Sequence, residues 1–95
     1  MEPRDYTRLT QKKRNTRWLY KNLTEKIIGA ALEVHRELGC GFLEYVYEEA
    51  LCYELKLKNI SFERQKDIDI YYKDIIIPRK YIPDILIKNK VIVEV

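Results

Sequence analysis

The stretch that most restricts the fold is "DILIKNKVIVEV", Asp84 to Val95. Ile85-Leu86-Ile87 and Val91-Ile92-Val93 are aliphatic at every position, without the apolar–polar alternation of a strand that has one wet face. Strands of this kind need cover on both faces, which places them inside a layered α/β or α+β domain. Lys88-Asn89-Lys90 between them reads as a three-residue hairpin loop. With that loop Ile87 faces Val91, Leu86 faces Ile92, Ile85 faces Val93, and Asp84 faces Glu94. A two-residue loop would offset the pairing by one position and send the two acids to opposite faces.

The preceding chain changes period. In "NLTEKIIGAALEVHRELG" Ile27, Ala31, Val34 and Leu38 recur at helical spacing, and Ile28 and Leu32 widen the stripe. Asn22 and Glu25 stand at capping-box spacing, and Gly39 is the stop. A second helix is expected from Leu43 to Lys58, with Leu43, Tyr47, Ala50, Leu51 and Leu55 facing inward and Asn59 ending it. From Ser61 the pattern becomes that of strands. Ile68, Ile70 and Tyr72 alternate, Lys73-Asp74 reads as a turn, and Pro78 and Pro83 interrupt the next strand. The expected fold is α+β, two N-terminal helices packed on an antiparallel three-stranded sheet.

Charge divides the chain. Residues 1–22 carry seven Lys and Arg against two acids, a balance of +5, whereas residues 23–95 carry eleven against thirteen, a balance of −2. The division expected is a basic N-terminal arm at 1–22 and a domain at 23–95. In the arm, Lys12, Lys13, Arg14 and Arg17 stand among Trp18 and Tyr20, a mixture that can pair phosphates and stack bases. A solvated tail is the plainer reading. No window approaches the roughly 20 apolar residues of a membrane span, and the basic start lacks the apolar core of a secretory signal. Cys40 and Cys52 form no CxxC pair and read as small packing residues. Two unpaired thiols favour a reducing compartment, so the expected location is cytoplasmic.

Asp84 and Glu94, if they face each other, repel unless a cation lies between them, and hard carboxylate oxygens suit Mg²⁺ or Mn²⁺. The other reading is that both acids lie near strand ends and meet solvent or neighbouring Lys and Arg.

Pro83-Asp84, nine intervening residues and then Glu94 at a strand end resemble the first part of the PD-(D/E)XK nuclease motif. "GFLEYVYEEAL" places Gly41, Glu44 and Tyr47 as in the GxxExxY proteins, a branch of that superfamily. "IIGAALEVHRELG" before it and "SFERQKDIDIYYKD" after it are similar too, so the resemblance runs from about Leu23 to Val95. It implies a nuclease-type core in which Asp84 and Glu94 hold Mg²⁺ or Mn²⁺, with Glu44 on the second helix assisting. Such a cation polarises the scissile phosphate of a DNA or RNA substrate and activates water. The motif lysine lies two residues after the second acid, on the same strand face, and stabilises charge on the phosphate. Here that position falls after Val95. The chain is therefore expected to be the N-terminal portion of such a core, with little or no turnover. Its sheet would have an uncovered apolar face and a bare edge prone to self-association. The alternative function is a non-catalytic nucleic-acid- or protein-binding module that uses the basic arm.

Five further positions carry side chains capable of such chemistry. Arg64 and Gln65, in the strand before the hairpin, are candidates for contact with phosphate or a metal-bound water. His35 is more often a packed helical residue than a ligand or base. Glu48 and Glu49 read as a solvated helix face.

Overall fold

The terminal hairpin forms with the expected loop. The computed structural model describes residues 20–95 and a strand at 2–5. In it β5 (Ile85–Ile87) and β6 (Val91–Glu94) pair antiparallel, with Ile85 opposite Val93, Leu86 opposite Ile92 and Ile87 opposite Val91. Lys88 and Asn89 have φ of 52° and 56°, and the Lys90 N–H donates to the Ile87 carbonyl at 2.9 Å. Two successive left-handed residues give a turn whose twist matches that of the flanking strands.

The six aliphatic residues of the hairpin are at most 1% exposed. Each face has its own cover. Helices α1 (Lys21–Leu38) and α2 (Glu44–Leu57) bury Ile85, Ile87, Val91 and Val93 against Ile27, Ala30, Val34, Leu51 and Leu55. On the opposite face Leu86 and Ile92 pack with Ile68, Ile70 and Tyr81. The uncovered face expected from the sequence is thus filled by the chain between residues 68 and 81. That chain does not run as two long strands. β2 (Phe62–Arg64) ends where Gln65 turns to φ 55°. Ile68 and Tyr81 form an isolated bridge. β3 (Tyr71–Tyr72) and β4 (Ile75–Ile76) make a separate hairpin around Lys73, whose φ is 51°. Pro78 and Pro83, which have no N–H to give, lie in the breaks between β4 and β5.

Among the described residues the main sheet has four strands rather than three, with β1 at Glu2–Asp5 and the order β1-β6-β5-β2. β1 lies antiparallel on β6, with Glu2 opposite Glu94, Pro3 opposite Val93, Arg4 opposite Ile92 and Asp5 opposite Val91. The first residues of the segment read as an arm therefore cover the edge of β6 that was expected to be bare. Proline is tolerated there because β1 is itself an edge strand. The edge of β6 on which self-association was expected is thus taken by β1.

The helices start and stop for reasons only partly visible in advance. α1 begins after Tyr20, which is left-handed at φ 62° and makes no side-chain cap, so the Asn22–Glu25 capping box does not form. Lys90 Nζ lies 5.1 Å from the centre of the Tyr20 ring, joining this helix start to the hairpin turn. Gly39 (φ 72°) and Asn59 (φ 57°) supply the left-handed residues expected beyond the helix ends. The buried stripe of α1 is narrower than expected: Ala30 joins it, while Ile28 and Leu32 are exposed. Leu43 is exposed as well.

The cysteines separate by environment. Cys52 is 4% exposed on the inner face of α2, and burial pushes its thiol pKa up. Cys40 is exposed in the turn between the helices, which corrects its reading as a packing residue. At neutral pH a thiol-alkylating reagent should modify Cys40 and leave Cys52 until the chain unfolds, as read by intact mass with and without denaturant. Equal native rates at the two positions would contradict this environment. Among the described residues no helix is long and apolar enough to cross a membrane.

Candidate functional site

Extending the β5–β6 register by one position places Asp84 across from Glu94. β2 and β5 pair with Arg64 opposite Ile85, and the Gln65 N–H donates to the Asp84 carbonyl at 3.2 Å. One cross-strand row therefore holds Gln65, Asp84 and Glu94, with Glu2 at the next register position beyond Glu94.

Both acids are half-buried, and the donors that reach them are neutral. The Val95 N–H donates to Asp84 Oδ2 at 2.8 Å. The Gln65 amide stands 3.5 Å from Asp84 Oδ1, at the long limit of a hydrogen bond. The Tyr81 hydroxyl donates to Glu94 Oε1. Among the described residues no Lys or Arg pairs with either acid. The reading in which nearby cations neutralise them finds no such partner there. Two facing carboxylates with uncompensated charge are a donor set of the right type for a hard divalent cation.

Glu44 stands apart from this pair. Residues 84, 86, 92 and 94 share the sheet face that carries Tyr81, whereas α2 packs on the other face, against Ile85, Ile87, Val91 and Val93. Glu44 is exposed in the first turn of α2, where a negative charge suits the positive end of the helix dipole. Among the described residues no three His, Cys, Asp or Glu side chains come together in a way that could hold a metal ion.

Arg64 is occupied. Its Nε donates to Glu48 Oε2 at 2.9 Å and its Nη2 to Glu49 Oε1 at 2.9 Å. Glu48 and Glu49, read as a solvated face, instead tie α2 to β2. The hydrogen bond from Arg64 and its charge hold the Glu49 carboxyl below the usual range, and Glu49 and Glu48 together push the guanidinium pKa up. Arg64 and Glu49 are exposed, so that pair contributes little to stability. A phosphate contact by Arg64 would have to displace these acids. Lys12, Lys13, Arg14 and Arg17 lie outside the described residues.

Tyr47 serves the corner between the helices. Its hydroxyl donates to the Gly39 carbonyl at 2.9 Å and accepts the Phe42 N–H at 3.2 Å. The exposed His35 ring stacks on it at 5.2 Å. The glycine and tyrosine of the GxxExxY pattern thus flank a pinned helix–helix turn, and the contacts of His35 lie there rather than at the acids.

The residue that sequence reasoning missed is Tyr81. It stands in an apolar run as one more strand-forming aromatic, and only the bridge to Ile68 directs its hydroxyl to Glu94. The available signal was its position three residues before the acid of the Pro-Asp pair.

Helices on one face of an antiparallel sheet, and two acids meeting on adjacent strands, describe the first part of a nuclease-type core. Residues 21–95 match the family model of the PD-(D/E)XK nuclease superfamily, and the chain belongs to that superfamily. No curated protein and no solved structure matches it.

Proposed function

We propose that this chain is a GxxExxY-type member of the superfamily whose Asp84 and Glu94 bind Mg²⁺ or Mn²⁺ for hydrolysis of nucleic-acid phosphodiesters. The observation that carries the proposal is the pair of facing, half-buried carboxylates reached, among the described residues, by neutral donors. When bound, the cation supplies Lewis acidity toward a phosphate oxygen and lowers the pKa of a coordinated water. The chain's own groups hold and orient. Val95 N–H and Tyr81 O–H steady one oxygen of each acid, and the Gln65 amide beside Asp84 would be a donor for a phosphate or a metal-bound water. Glu44, in the first turn of α2, lies on the helix side of the sheet and takes no part in this ligand pair. A cytoplasmic setting suits the two unpaired thiols.

Calorimetric titration with Mn²⁺ and Mg²⁺ tests the proposal without requiring turnover. Wild type should bind, and Asp84→Asn and Glu94→Gln should each abolish or strongly weaken binding while the metal-free protein stays folded. The amides retain an acceptor for Val95 N–H and Tyr81 O–H, so a loss reports charge rather than collapse. A wild-type chain that binds neither cation would sink the metal assignment.

A further inference from the structure

We infer that Tyr81 is a positioning residue for Glu94, holding its carboxylate so that it shares a cation with Asp84. The inference rests on the proposed metal reading and adds a residue that reading does not require.

The argument starts from the mobility of a glutamate. Glu94 is the last residue of β6, and left alone its side chain would rotate away from the like charge of Asp84. The Tyr81 hydroxyl occupies Oε1, and among the described residues no hydrogen bond engages Oε2. A carboxylate held at one oxygen is fixed in rotation and still offers the other.

Tyr81 can do this because it is itself fixed. Its N–H and carbonyl form both bonds of the bridge to Ile68, at 3.0 and 2.9 Å. It packs on Leu86 and Ile92, which are 1% and 0% exposed. Buried Pro83 stiffens the link from Tyr81 to Asp84. One short segment therefore carries one ligand and the clamp on the other. The choice of phenol also matters. A lysine at this place would cancel a carboxylate charge and compete with the cation, whereas a neutral donor fixes the oxygen and leaves the charge. Groups that orient metal ligands in this way typically change affinity by about 10–100-fold when removed.

The experiment is Mn²⁺ titration of the full chain as wild type, Tyr81→Phe and Tyr72→Phe, with a metal-free thermal melt of each. Tyr81→Phe should raise the Mn²⁺ dissociation constant by about tenfold or more with little change in the metal-free melt. Tyr72→Phe should match wild type. Wild type that binds Mn²⁺ and Tyr81→Phe that binds it equally well would overturn the role of Tyr81 and leave the metal reading standing. Wild type that binds no Mn²⁺ overturns both. A second measurement needs no substitution. Mn²⁺ is paramagnetic, so the NMR signals of the Tyr81 ring should broaden away as it binds, and sharp ring signals at saturating Mn²⁺ would also overturn the inference.

Discussion

Leu55→Ala should remove a large share of the stability of this chain. Leu55 is 0% exposed, on the inner face of α2. It belongs to the cluster that joins both helices to Ile85, Ile87, Val91 and Val93. Its carbonyl also accepts the Ile60 N–H at 2.9 Å, where the chain leaves the helix for the sheet. Truncating a buried leucine to alanine costs about 2–5 kcal/mol, the loss of transfer free energy plus the cavity left behind. Small domains hold about 0.05–0.15 kcal/mol per residue, so this one change takes a large share of what a chain of 95 residues has. Leu57, two residues on and 60% exposed, is the internal control. Leu57→Ala should stay within about 0.5 kcal/mol of wild type. Urea unfolding followed by circular dichroism reads both, and equal midpoints for the two variants would refute this placement of the core.

Deleting residues 1–5 should make the chain associate more strongly than the full-length protein does. β6 pairs with β5 on one side and β1 on the other. Its residues Val91, Ile92 and Val93 are at most 1% exposed. Without β1 the strand presents a row of unpaired backbone groups flanked by aliphatic side chains, the arrangement most prone to add a strand from another molecule. The shortened chain should form dimers or larger species that grow with concentration in size-exclusion chromatography with light scattering. A stable monomer at all concentrations would mean that β1 does not guard this edge.

What could be read in the sequence followed from local rules. The hairpin register was legible because Ile85–Ile87 and Val91–Val93 are apolar throughout and the loop length fixes which residues face each other. The helix stops were legible because Gly39 and Asn59 suit left-handed backbone. The facing of Asp84 and Glu94 came with the register. What was not legible depended on contacts distant in sequence. The cap of α1 lost to a left-handed Tyr20. The alternation through Ile68, Ile70 and Tyr72 suggested one strand, but Gln65 turns out of the ladder and Ile68 bridges to Tyr81 instead. β1 could not be found from "EPRD", which has neither apolar alternation nor strand propensity and pairs because β6 offers it an edge. The tie of Arg64 to Glu48 and Glu49 and the hydroxyl of Tyr81 on Glu94 are likewise set by packing, not by any motif.

The pairing of Glu2 with Glu94 also has a kinetic consequence. The central strand β6 takes one neighbour from immediately before it and the other from the opposite end of the sequence. The β5–β6 hairpin closes a loop of a few residues and can form within microseconds. The β1–β6 ladder must close a loop that encompasses nearly the whole domain, with the entropy loss that such closure demands and few strand residues to offset it. Docking of β1 should therefore be the last event in folding and the first to reverse. Amide hydrogens of Val91 to Val93 that bond toward β1 should exchange sooner than those bonded toward β5, even though the two sets lie on the same strand.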